Sequence, residues 1–204
     1  DSGTGKTTAE MQSKSTYTNA GWDFLGETAN GTNGIWRIDE GNDYPKLVFI
    51  KGEGTASHPF QITNLTDLNW LSDDPEYWSY EFVQTADIDV SVTQYWESWD
   101  GDGFIAVGNN GTEFTGKYNG QFHIIDNLYS NRPNKDYVAF FGSTNGATIE
   151  NIGITNANVT GDGDVGSLAG IIANTTVRNC FSTGNVAGKG YAIGGLIGMN
   201  SHGS

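Results

Sequence analysis

Carboxylates are the residues through which this chain could do chemistry. Asp and Glu number 24 against 10 Lys and Arg, with three histidines. Asp87 and Asp89 alternate along one predicted strand and so point the same way. Paired acids of this kind cleave glycosides, one as acid and the other as base or nucleophile. The same alternation describes an ordinary solvated sheet face, and that reading is preferred. No catalytic residue is therefore assigned, and the expectation is a protein that is not an enzyme. Asp100-Gly101-Asp102 and Asp162-Gly163-Asp164 each bring two hard oxygen ligands together, as calcium requires. Neither completes an EF-hand loop or a nonapeptide calcium repeat, so no cofactor is expected, with calcium as the ion these pairs would take. His58, His123 and His202 lie at no zinc-ligand spacing with one another or with a cysteine. No nucleophile elbow occurs. Gly5-Lys6-Thr7 lacks the earlier glycine and the preceding strand of a phosphate-binding loop. Tyr95, Trp96 and Trp99 form an aromatic loop that could stack on sugars or protein, or cover the side of the fold, as Trp usually does. Asn30, Asn64, Asn110, Asn158 and Asn174 each open an Asn-x-Ser/Thr triplet, which chance supplies in an Asn- and Thr-rich chain.

The net charge is −14. That disfavours nucleic acid and anionic membrane as partners, because both require a basic surface. Cys180 is the single cysteine, so no internal disulfide can form. It occupies the repeat position of Ile152 and reads as a small buried hydrophobe. No stretch is apolar for long enough to cross a membrane, and no signal peptide opens the chain.

What must position these residues is a repeat. Phe140-Phe141-Gly142 returns as Leu168-Ala169-Gly170 and as Leu196-Ile197-Gly198, 28 residues apart each time. Seven residues after the glycine stand Ile149-Glu150-Asn151-Ile152 and Val177-Arg178-Asn179-Cys180. An earlier copy, Ile125-Asp126-Asn127-Leu128, precedes the first by 24 residues. A fixed period in this range signals stacked structural units. The apolar runs are short and β-branched, and Gly, Asn, Thr and Ser fill the rest, which predicts strands and tight turns. One unit fits one coil of a parallel β-solenoid, paired with the coils about 4.8 Å above and below. Asn127, Asn151 and Asn179 are then expected to stack as an asparagine ladder.

Along the chain, residues 1–50 read as an end piece. Thr7 and Glu10 form a capping-box pattern for a helix from Thr8 to about Lys14. Short strands follow around Gly34-Ile35-Trp36-Arg37-Ile38 and Tyr44-Pro45-Lys46-Leu47. Residues 51–103 hold a turn, the strand Pro59 to Ile62, and a helix capped by Thr63 or Asn64 that places Leu65, Leu68 and Leu71 on one side. A strand from Glu81 to Val90 comes next, with Phe82, Gln84, Ala86, Ile88 and Val90 on one face. Residues 104–204 read as the coils, the last incomplete.

These residues carry a resemblance. Pro59 to Ile62, the Leu65 to Leu71 helix, Asp87-Ile88-Asp89, Gly108-Asn109, Phe114 to Gly120 and Phe122 to Leu128 follow in the order seen in GLUG-motif repeat proteins of bacterial cell surfaces. Gly194-Gly195-Leu196-Ile197-Gly198 matches the repeat of that family best. Gly166-Ser167-Leu168-Ala169-Gly170 is degenerate, and Val138-Ala139-Phe140-Phe141-Gly142 lacks the leading glycines. Thr7 to Leu47 resembles the piece that closes such arrays, so the order looks permuted. The resemblance implies an all-β fold: a right-handed parallel β-helix with a short capping helix and a small β-rich N-terminal end piece. It also implies an extracellular, cell-surface location and an adhesin-like role. Some such repeats accompany a zinc peptidase, whose His-Glu-x-x-His is absent here. The expected partners are copies of the chain or flanking segments of the same parent, meeting head to tail at the unfinished coil, with a glycan or host surface protein as a further partner. The alternatives are a carbohydrate-active β-helix enzyme using Asp87 and Asp89, and a passive binding module using Trp96 and Trp99.

Overall fold

The computed structural model describes residues 5–24, 29–30, 36–38, 40–41, 44–47, 50–98 and 101–202. Two compact units divide the chain, Asp1–Phe60 and Gln61–Ser204.

In the first unit, α1 (Thr8–Met11) opens on the expected capping box. Glu10 N donates to Thr7 Oγ1 at 3.3 Å, and Thr7 N donates to Glu10 Oε2 at 2.8 Å. The helix stops at Met11 rather than Lys14 because Ser13 is extended and starts a second helix, α2 (Lys14–Thr18). Tyr17 is buried on Trp22, and Trp22 meets Trp36 with ring centroids 4.4 Å apart. The two predicted strands form as one antiparallel pair, β1 (Trp36–Arg37) and β2 (Lys46–Leu47). Gly34 and Ile35 lie outside the described residues.

The second unit is a parallel β-solenoid of about three turns with three sheets. The first sheet stacks β15 (Thr176–Arg178), β12 (Thr148–Glu150), β8 (Lys117–Asn119), β4 (Glu81–Gln84) and β3 (Phe60–Ile62), in that order. The second aligns β5 (Ile88–Asp89), β9 (Ile124–Asp126), β13 (Gly153–Thr160) and β16 (Phe181–Ala187), with β10 (Tyr129–Asn131) pairing the far half of β13. The third holds β11 (Phe141–Asn145), β14 (Ala169–Ala173) and β17 (Ile197–Ser201). Residues 91–103 are not simple loop: a 3-10 turn at Ser91–Tyr95 leads into an antiparallel pair, β6 (Glu97–Ser98) and β7 (Gly101–Gly103).

The predicted period is the observed register. Phe141 pairs Ala169, which pairs Ile197, and Ile149 pairs Val177. The glycine of each repeat is required by backbone proximity. A methyl on Gly170 would lie 2.5 Å from Asp164 O and 2.6 Å from Gly142 O. One on Gly198 would lie 2.6 Å from Gly170 O. The missing leading glycine of the first unit also has a cause. Val138 bridges Val165 while Phe141 pairs Ala169, so that coil is one residue shorter in this segment.

The core is aromatic. Phe104, Phe114, Tyr118, Phe140 and Phe141 are all fully buried and meet one another at centroid distances of 4.7–5.9 Å. Burying one such ring contributes roughly 1.5–3 kcal/mol. The buried polar groups among them are satisfied: Tyr118 Oη donates to Gln84 Oε1, and Gln84 Nε2 donates to Ala86 O and Ile124 O. That amide sits where the predicted strand 81–90 divides into β4 and β5. Phe82, Gln84, Ile88 and Val90 still face in, while Ala86 is half-buried. Helix α3 (Leu65–Asp73) is capped by Asn64 in a box closed with Asp67. It buries Leu68 and Leu71, receives Trp78 Nε1 on Leu71 O, and places Trp70 against Phe82. Leu65 is only half-buried.

An asparagine ladder forms with a different first member. Asn179 Nδ2 donates to Asn151 Oδ1 at 2.8 Å, and Asn151 Nδ2 donates to Asn119 Oδ1 at 3.1 Å. Asn127 stands instead at the corner of the second sheet, where Ile125 pairs Ile154, so its counterpart is Asn156. All four of Asn127, Asn151, Asn156 and Asn179 have φ between 50° and 62°, the left-handed region that Asn enters most readily after Gly. A shared local motif thus marks two different corners.

Candidate functional site

Asp87 and Asp89 do share an exposed edge of the second sheet. Asp87 Oδ1 accepts from Ile124 N at 3.0 Å and lies 3.0 Å from His123 Nδ1. Asp89 Oδ1 accepts from Ser91 N at 2.8 Å and from Asn127 Nδ2 at 3.0 Å. The Ile124 N–H, then His123, hold the Asp87 carboxyl below the usual carboxylate range. The Asn127 amide, then the Ser91 backbone, do the same for Asp89. A glycosidase acid needs a raised pKa, and both of these acids are shifted the other way. What they do is join coils. One coil further on, Asp126 repeats the pattern, accepting from Thr155 Oγ1 and Asn156 Nδ2.

The remaining candidates lie apart. Lys6 reaches Glu10, and Thr7 is occupied as a helix cap. His58 stands 3.8 Å from Glu53, and His202 beside Ser201. Among the described residues no three His, Cys, Asp or Glu side chains converge on a metal position. Trp99 and Asp100 lie outside the described residues. Trp96 is half-buried beside a freely exposed Tyr95. Cys180 does align with Ile152, since Phe181 pairs Gly153, but it is half-exposed because its coil lies at the edge of the stack. Asp162 and Asp164 occupy a corner where Asp136, from the preceding coil, accepts from Gly163 N at 2.8 Å.

A polar recess of about 260 Å³ lined by Gln94, Asn127, Tyr129, Asn156 and Asn158 escaped sequence reasoning. It draws on separate coils, so only the register reveals it. The last coil, which the sequence reads as incomplete, is the outermost of the described stack. Strands β15, β16 and β17 have no outer partner among the described residues. Phe181 is 52% exposed, Met199 39% and Ile193 37%. Their counterparts one coil earlier, Gly153, Ile171 and Val165, are buried or half-buried.

No family model matches this chain. It is 40% identical over 152 residues to Halomucin of Haloquadratum walsbyi. The alignment covers 72% of this chain and 2% of that protein. A solved structure from Bacteroides ovatus, titled as a candidate immunoglobulin A1 protease, aligns with 69% of this chain and 47% of its own at 21% identity and a TM-score of 0.40. A likeness that distant informs neither fold nor chemistry. No helix among the described residues is long and apolar enough to cross a membrane.

Proposed function

We propose that this chain is a non-enzymatic structural segment of a much longer extracellular polypeptide, a GLUG-like solenoid displayed at a cell surface. The observation that carries the reading is the open last coil. Its apolar positions keep the stacking register of the coils before it, yet stand exposed. Among the described residues its outer backbone groups present an unpaired sheet edge, which templates further pairing. The occupant that fits is another coil of the same repeat, because an in-phase apolar triplet and Gly would continue the third sheet. A flanking segment of the parent chain supplies it. The 40% identity to a stretch forming 2% of a far longer protein supports that setting. The backbone and side-chain donors that hold the Asp87 and Asp89 carboxyls below the usual range support a structural over a hydrolytic use of this face.

The test is to append a further copy of residues 148–175 in phase after the last coil. The expected product is a monomer with a higher Tm and with Phe181 protected from solvent labelling. An appended coil that stays protease-sensitive and leaves the Tm unchanged would sink the proposal. Cleavage of a polysaccharide by the unmodified chain, lost in Asp87→Asn, would overturn its non-enzymatic part.

A further inference from the structure

Asp164 supplies the carboxylate oxygen among three buried side-chain polar atoms that find no hydrogen-bond partner among the described residues. It is 4% exposed, and its Oδ1 has no hydrogen-bond partner. A buried charge without a partner is among the least tolerated features of a fold, and a wholly unsatisfied atom calls for a proton, a water or an ion. Its residue type is explained locally: Asp164 has φ 50°, at the corner where Tyr137 and Ala192 occupy the same left-handed position in neighbouring coils. Asn would fill that position equally well and bring its own donors. The choice of a carboxylate is what needs a reason.

The surroundings are rich in oxygen. Asp136 of the preceding coil places Oδ1 on Gly163 N, and Tyr191 of the following coil accepts from Asp164 N through its carbonyl. Gly163 opens the space between them. A methyl there would lie 3.0 Å from Asp136 Oδ1 and 3.3 Å from Tyr191 O, so two oxygens from two coils converge on a position with no side chain. Gly163 has no positive φ, so backbone conformation does not require glycine. No salt bridge to Asp136 or Asp164 forms among the described residues. Burial first, then Asp136, pushes the Asp164 carboxyl up, and burial followed by Asp164 and Asp136 raises the Tyr137 phenol.

We infer that this corner binds a hard divalent cation, calcium by preference, with Asp164 and Asp136 as its carboxylate ligands and the Tyr191 carbonyl as a third oxygen. Calcium accepts carboxylate, main-chain carbonyl and water oxygens in flexible numbers, so two carboxylates from adjacent coils suffice to anchor it. The ion neutralises the buried charge and ties three successive coils at one corner. This inference does not depend on the proposed function.

The experiment uses the full chain, stripped with chelator. Calcium chloride is titrated calorimetrically and by thermal unfolding. Saturating calcium is expected to raise the Tm by on the order of 5 °C. Terbium, a luminescent calcium substitute, is expected to gain emission excited through Tyr137 and Tyr191. Asp164→Asn is expected to abolish both responses while the chelated variant unfolds at or above the temperature of the chelated parent, since a buried unpaired charge is removed. Gly163→Ala keeps every ligand and narrows the space, and is expected to weaken binding at least tenfold with the fold retained. A parent chain whose Tm ignores calcium overturns the inference. So does calcium binding that survives intact in Asp164→Asn, or a chelated Asp164→Asn less stable than the chelated parent.

Discussion

The coil at 148–173 and the coil at 176–201 share a register and differ in everything that burial controls. Ile149, Ile154, Val165 and Ala169 are fully buried, while their partners Val177, Ser182, Ile193 and Ile197 are half-buried or exposed. Both coils form the same strands, so local sequence and one neighbouring coil are enough to shape a turn of this solenoid. A second neighbour supplies the remaining desolvation. In stacked repeats stability is close to a sum of unit and interface terms, and the last coil has one interface where the other has two.

The largest way to break that contrast is a matched pair of truncations. Ile149→Ala removes a fully buried side chain and is expected to cost about 2–5 kcal/mol, whereas Val177→Ala, at the paired position, is expected to cost less than about 1 kcal/mol. Urea unfolding of both variants measures the difference. Equal losses would mean that the last coil is covered in solution.

Glycines sharpen the comparison at an intermediate level. In Gly194-Gly195-Leu196-Ile197-Gly198, a methyl on Gly194 would sit 1.9 Å from Ile197 O, but one on Gly195 meets nothing within 4 Å. Gly194→Ala is expected to cost about 1–3 kcal/mol through forced backbone shifts, and Gly195→Ala to be neutral or slightly stabilising, both by thermal unfolding. Ser167 already holds the Gly195 position one coil earlier, which fits.

The smallest effect is electrostatic. The folded-state pKa of Asp87 is depressed, so its contribution to stability is complete above the ordinary Asp pKa and disappears as pH falls through the lower folded value. Because the carboxylate is exposed, solvent screens most of it. Asp87→Asn should therefore lower the Tm slightly at neutral pH and by progressively less as the pH falls below the ordinary Asp range, as scanning calorimetry across that range would show.

The solenoid was legible because its signal is repetition. Phe141, Ala169 and Ile197 are unlike as side chains, yet the glycine that follows each must lie against its neighbours' carbonyls, and that fixes the period. The corners were less legible. Asn127 reads like Asn151 because both follow an apolar-acidic pair and both suit positive φ, but that preference is local and carries no information about which sheet comes next. The Asp164 corner was half legible. Asp162-Gly163-Asp164 is a visible oxygen-rich turn, whereas Asp136, 28 residues before Asp164, is brought to it only by the stack. Asp87 and Asp89 drew attention as acids, and their partners on the next coil, Ile124 N, His123 and Asn127, were invisible without register.

Most amide contacts between coils share an orientation, with Asn119 Nδ2, which donates forward to Glu150 Oε1, as an exception. Asn179 donates to Asn151 and Asn151 to Asn119; Asn174 donates to Asn145; Asn127 donates to Asp89 and Asn156 to Asp126. In each, the nitrogen belongs to the later coil and the oxygen to the earlier one. These contacts give the stack a polarity, with the Asn179 side-chain oxygen on the outermost described coil. Two such ends brought face to face would oppose oxygen with oxygen, at about 1–3 kcal/mol for each acceptor buried unsatisfied. Mirror-like pairing of two such coils is discouraged by the orientation of these asparagines.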